Sequence, residues 1–291
     1  MLKNNVIDLM SKLNFPLSSQ ETLLKCLDIL LSTDNFINIV NCYKNEDCDF
    51  AKMLDDIKLL AQNLNISHHT AHMLLVLCMA PTLYKKYIQK GIDPQIFYDT
   101  MADLRYKLEE CRLVHNTCGT FVAGWYKGFF EMRIFALGRL QFEIKNTWFD
   151  CEVNGKKIPK DTKVLSVHIP RTGTPLRHEL VIKSYKMALE FFKDQFDGEI
   201  IFICNSWLLD PWNRTVLNDE SNLAQFYDDF TIVETGEYSD YSETWRLFDC
   251  LYNGNVDNLP CDTSLRRAYI GRIKSGIPTG YATGVILSKN I

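Results

Sequence analysis

One segment carries the side chains best suited to chemistry. Val164-Leu165-Ser166-Val167-His168-Ile169 runs straight into Pro170-Arg171-Thr172-Gly173-Thr174-Pro175-Leu176, and an amphipathic stretch follows from Arg177. A strand, a short loop and a helix in this order aim backbone N–H groups at one point. The helix N-terminus adds partial positive charge there. Arg171 supplies a forked cation, and Gly173, with no Cβ, lets the backbone come close. The loop is thus an expected anion site, suited to a pyrophosphate. As pure structure, the same residues make a strand–helix turn with a surface arginine. Two other groupings offer less. Cys204 ends a second apolar run and would be a nucleophile only with His168 or His178 as its base; a buried, inert thiol is the plainer expectation. His68-His69-x-x-His72 places His68 and His72 on one helical face, but no neighbouring Cys or carboxylate completes a set, so no metal site is expected.

The elements that must hold these residues change character along the chain. Up to about residue 130 the apolar period is helical. Val6, Leu9, Met10 and Leu13 form one face, ending before Pro16. Ser18 or Ser19 can cap a second helix, Asp34 a third and Ser67 a fifth, with a fourth near 51–64. Pro81 is expected to restart the chain as a further helix, and Asp93-Pro94 opens a long one to about Cys111. After Arg133 β-formers take over. A strand-like run covers 134–144, and Asn154-Gly155 is a hairpin signal. Strands follow at 164–169, 199–204, 230–234 and 279–287, with helices at 177–194, 220–229, 242–250 and 264–274. The expected architecture is α+β: an all-α domain over residues 1–130, then a mixed-sheet α/β domain over 131–291.

Bulk properties narrow the function. The 291 residues are 46% hydrophobic and 23% charged, which fits a folded chain long enough for two cores. The first 131 residues hold 13 Lys/Arg against 15 Asp/Glu, and the remainder 19 against 21. Neither half is basic, so no nucleic-acid partner is expected. The longest apolar run, Met73 to Pro81, is too short to span a bilayer, and no apolar leader follows Met1. Ten cysteines without a CxxC suit reduced core thiols, and hence a cytoplasmic location.

The order of elements after Arg133 resembles the GNAT N-acetyltransferase fold. In that family a strand leads into an Arg/Gln-x-x-Gly-x-Gly/Ala loop that holds the CoA pyrophosphate. Arg171-Thr172-Gly173-Thr174-Pro175-Leu176 stands at that place with two departures: Gly173 follows Arg171 by two residues instead of three, and Pro175 replaces the second glycine. The chain is more similar still to a group of bacterial acyltransferases that join a helical N-terminal domain to a GNAT-like one. The residues carrying that likeness are Leu137-Gly138-Arg139-Leu140-Gln141-Phe142-Glu143, Val167 to Pro170, Ser184, Phe191-Phe192, Cys204 to Leu209 and Ser221-Asn222-Leu223.

The resemblance implies an acetyl-CoA or other acyl-CoA co-substrate and an amine or hydroxyl acceptor on a small molecule or peptide. It also implies roles. The main chain of Val167 and Ile169 would bind pantetheine, while Arg171, Thr172, Gly173, Thr174 and Leu176 would bind the pyrophosphate. His168 would be the general base, with Glu143 its rival, and Tyr227 would protonate the leaving thiolate. The other reading that the resemblance leaves open is a catalytically silent GNAT-shaped protein that senses CoA or another metabolite.

Overall fold

The structure is a computed structural model that describes residues 2–45 and 49–291. It divides after Phe135 into two compact units. The first is helical: α1 (Leu2–Lys12), α2 (Leu17–Leu31), α3 (Asp34–Lys44), α4 (Phe50–Asn63), α5 (His68–Gln89), α6 (Pro94–Met101), α7 (Asp103–His115) and the single turn α8 (Lys127–Phe130). Helix α5 is its axis, and α1 to α4 and α6 all pack on it. Met73 to Ala80 are buried without a break, so this stretch of α5 is apolar all round, as a central helix must be.

That burial also sets the course of the chain at Pro81. Pro81 does not restart the chain; it lies inside α5. An internal proline costs about 3 kcal/mol, which the continuous apolar burial around it exceeds. Other boundaries moved as well. The stretch after Pro94 breaks at Ala102 into α6 and α7. Helix α2 starts at Leu17, after Pro16, with no side-chain cap, while Ser19 is buried and accepts a hydrogen bond from Arg112. Thr33, not Asp34, caps α3.

The second unit is built on a six-stranded sheet ordered β1-β2-β5-β6-β8-β7. Its strands are β1 (Ile134–Leu137), β2 (Leu140–Asn146), β5 (Lys163–His168), β6 (Ile201–Ser206), β7 (Thr231–Glu237) and β8 (Gly280–Leu287), and β3 (Cys151–Val153) with β4 (Lys156–Ile158) forms a separate hairpin. The helices are α9 (His178–Phe192), α10 (Pro211–Val216), α11 (Asn222–Asp228), α12 (Trp245–Phe248) and α13 (Ser264–Lys274). The β-rich run after Arg133 is thus two strands, because Gly138 takes φ +73° and turns the chain. Asn154 and Gly155 both have positive φ and make the hairpin turn that their types favour.

Strand alternation sorts the sheet into two faces. On one, Phe142 and Phe202 pack their rings against Tyr185 of α9. On the other, Val164, Ile201, Ile203, Val285 and Leu287 meet Val153 and Ile158 of the hairpin. The segment from Thr147 to Thr162 therefore crosses this second face as an arm. Its base is pinned by Thr147, whose hydroxyl donates to the Pro159 carbonyl and accepts from the Thr162 N–H.

Candidate functional site

The central strands β5 and β6 run parallel, yet their register covers only Leu165↔Phe202 and Ser166↔Ile203. Beyond that point β5 stays paired with β2 to His168↔Gln141, and β6 stays paired with β8 to Ser206↔Ala282. Each strand follows its outer neighbour, so the two separate and a gap opens at Val167 and Cys204. Backbone groups along such a gap have lost their ladder partners and can bond a ligand lying between the strands.

His168 stands at the edge of this gap on the hairpin-bearing face. Glu143 of β2 is level with Ser166, two residues away on the same face. His168 Nε2 donates to Glu143 Oε2 at 3.1 Å, and Lys145 Nζ donates to the same oxygen at 2.9 Å. Two residues that compete for one role in the sequence are therefore partners. Burial pushes the Glu143 carboxyl up, but the hydrogen bonds and positive charges of His168 and Lys145 outweigh it and hold it at about 2. Burial lowers the His168 imidazole, the hydrogen bond from Glu143 raises it in part, and Lys145 lowers it again. Near neutrality the pair is a carboxylate beside a neutral imidazole. With the Nε2 proton shared with Glu143, the lone pair is on Nδ1.

The loop from Ile169 to Arg177 is braced from an unexpected side. Arg139, in the β1–β2 turn, donates from Nη1 to the Pro170 carbonyl at 2.9 Å and from Nε to the Thr174 carbonyl at 3.0 Å. Its N–H donates to Ser184 Oγ at 2.7 Å, which ties the turn to α9. A Cβ on Gly138 would lie 2.7 Å from that Oγ, so only glycine fits. In the sequence this Leu-Gly-Arg motif carries a family likeness but no role. The backbone carbonyls it clamps leave no signal in side-chain types.

The loop's donors divide into used and unused. The Thr172 N–H donates to the Pro170 carbonyl and the Thr174 N–H to the Thr172 hydroxyl. Among the described residues the N–H groups of Gly173 and Leu176 have no such partner, and α9 starts without a side-chain cap over its first turn. Gly173 takes φ +76° with open space around it. The Leu176 side chain is buried, so only its main chain faces outward chemistry. Arg171 is half exposed and ion-paired with Asp249, whose other oxygen binds Arg266 at 2.7 Å.

Tyr227 and Cys204 lie on other elements. Tyr227 is half-buried on α11, and burial followed by the charges of Asp228 and Asp210 keeps its hydroxyl protonated. Cys204 is buried on the α9 side of β6, facing away from His168, and burial pushes its thiol up to about 12. It lacks both exposure and a base. Trp207 and Trp212 pack around Tyr269 in a satellite core, and Trp245 is buried. Among the described residues, no group of three or more His, Cys, Asp or Glu could hold a metal ion.

Residues 134–286 match the model of the GNAT-like C-terminal domain, and residues 4–132 match that of the N-acyltransferase N-terminal domain. The chain belongs to the GNAT-like C-terminal domain family. Its helical half is accordingly an N-acyltransferase N-terminal domain, and its sheet half the GNAT-like domain. Solved structures share the fold over 97% of this chain. An acyltransferase mutant in complex with octanoyl-CoA has a TM-score of 0.76 at 19% identity over 87% of its own chain. An acyltransferase in complex with decanoyl-CoA has 0.75 at 22% over 86%, and one with decanoyl-CoA and teicoplanin has 0.71 at 20% over 87%. No curated protein matches the chain. No described helix of the GNAT-like domain or its partner domain is long and apolar enough to cross a membrane.

Proposed function

We propose that the chain transfers an acyl group from acyl-CoA to an amine. The observation that carries this reading is the gap between β5 and β6 with the His168–Glu143 pair at its edge. Pantetheine lies in the gap and bonds the main chain of Val167 and Ile169. The pyrophosphate meets the N–H groups of Gly173 and Leu176 and the start of α9, where the helix dipole favours negative charge. Arg171 exchanges Asp249 for phosphate oxygen.

The proposed reaction assigns a role to each group. The amine nitrogen attacks the thioester carbonyl, a C–N bond forms and the C–S bond breaks. His168 Nδ1 takes the proton that the nitrogen must lose, and Glu143 stabilises the resulting imidazolium while fixing the ring. Glu143, held at about 2, is too weak a base for that proton itself. Tyr227, kept protonated, is the proton source for the departing thiolate. The crystallised neighbours that hold CoA or acyl-CoA support the same co-substrate here.

Calorimetry with CoA, followed by thiol release from acetyl-CoA and octanoyl-CoA with primary amines, tests the proposal. CoA should bind, and Arg171→Ala should weaken binding by roughly 1–3 kcal/mol. CoA binding without thiol release would instead favour a silent metabolite sensor. No heat at millimolar CoA would end the acyl-CoA reading.

A further inference from the structure

Past the hairpin, the sheet face that bears His168 carries a polar row at a single level. Ser166 is level with Ile203, and His168 and Asn205 follow these two residues later on their strands, on the same face. Asn205 pairs with Thr283 of β8, and Thr283 with Glu234 of β7. The side chains join in that order. Asn205 Nδ2 donates to Thr283 Oγ1 at 2.8 Å, and Thr283 Oγ1 donates to Glu234 Oε2 at 3.1 Å. Trp148, from the arm, donates its indole N–H to the same oxygen at 3.3 Å.

Glu234 is thus aimed by a built chain of donors, with Thr283 fully buried beneath it. Every donor is neutral. Among the described residues no Lys, Arg or His forms an ion pair with it. Trp148, although its N–H is engaged, is 45% exposed. A fixed carboxylate without a counter-charge, next to an accessible indole face, has the chemistry that binds an organic ammonium: charge from one side, cation–π attraction from the other.

We propose that Glu234 and Trp148 bind an ammonium group of the acyl acceptor, one distinct from the nitrogen that is acylated. This rests on the acyl-transfer reading above. The row gives the spacing: the Glu234 carboxylate lies over β8, two strand positions from His168, and β5 and β6 have separated at this level, so the two groups of the acceptor are at least about 10 Å apart. The preferred acceptors are di- or polycationic amines rather than simple monoamines.

The probes are diaminooctane and octylamine, titrated calorimetrically into the full chain with and without saturating CoA. Diaminooctane should bind about ten-fold more tightly than octylamine, and Glu234→Gln should remove that preference. Trp148→Phe should keep most of it, since the ring face survives, and Trp148→Ala should lose it; unchanged thermal midpoints establish that each variant is folded. Equal affinity for the two probes in the wild type, or a preference that persists in folded Glu234→Gln, overturns the proposal and leaves Glu234 as a pin for the arm. CoA heats are read separately. If CoA binds and thiol is released while the amines are not distinguished, acyl transfer stands and the ammonium site falls. If CoA does not bind but Glu234→Gln abolishes the preference, the site stands without acyl transfer.

Discussion

The chain has six histidines, and they fall into contrasting environments. In the helical domain His68, His69, His72 and His115 pack ring against ring in tilted and edge-on pairs, with centroids 4.0 Å apart for His68–His69 and 4.9 Å for His69–His115. In the sheet domain His168 has a carboxylate at 3.1 Å. Burial lowers the imidazole in both places, but the neighbours differ. Around His69 the other histidines add repulsion, and its value falls to about 4. Around His168 the carboxylate pushes the other way. A histidine surrounded by histidines is kept neutral and does no proton work near pH 7. A histidine backed by an ionised carboxylate can take a proton and keep it long enough to matter.

Substitutions can break that contrast, beginning with the largest expected effect. His168→Gln should lower the rate of thiol release by about 10²–10⁴-fold, the usual contribution of a general base, while CoA affinity measured by calorimetry stays close to that of the wild type. Retention of the full rate would place His168 with the packed histidines of the other domain. Glu143→Gln should have a smaller effect, roughly 10–100-fold, as expected for loss of a charged hydrogen bond. It should also move the acid limb of the pH–rate profile to lower pH, because the charge that raises His168 is gone. A merely structural carboxylate would not move that limb.

The smallest effect concerns stability in acid. His69 binds its proton near 6.5 when unfolded and near 4 when folded, so the unfolded state holds more protons between those values. Stability should fall as pH drops from 6.5 to about 4, and this group should contribute no further slope below. Glu143 does the same lower down: its contribution is complete above 4.5 and is lost as pH falls towards 2. Denaturant melts of His69→Gln should therefore show a shallower loss in the upper window and an unchanged one in the lower.

Much of the sheet domain was legible because its cues are local. Asn154-Gly155 marks its own turn, the Val164–Ile169 run reads as a strand, and the loop of Arg171 and Gly173 announces a strand–helix junction. Pro81 misled because local propensity gave way to burial around α5. The pairing of Glu143 with His168 was hidden for a different reason. It depends on which residue of β2 faces which residue of β5, and two strands 25 positions apart do not declare their register. The Arg139 brace was hidden because its acceptors are main-chain carbonyls, present at every residue. The row from Asn205 to Glu234 was hidden as the Glu143–His168 pair was, since it depends on the register of three strands far apart in sequence.

The gap between β5 and β6 has a consequence for how a ligand is greeted. Both strands are held on their outer edges by antiparallel neighbours, β2 and β8, and a slip of one residue would turn every apolar side chain of a strand to the wrong face. The gap cannot heal by sliding. On the acyl-CoA reading proposed above, a short extended segment entering it loses its own freedom but asks little reordering of the protein. Slow amide exchange at the ends of these strands should then report occupancy directly, as though a seventh strand had been added to the sheet.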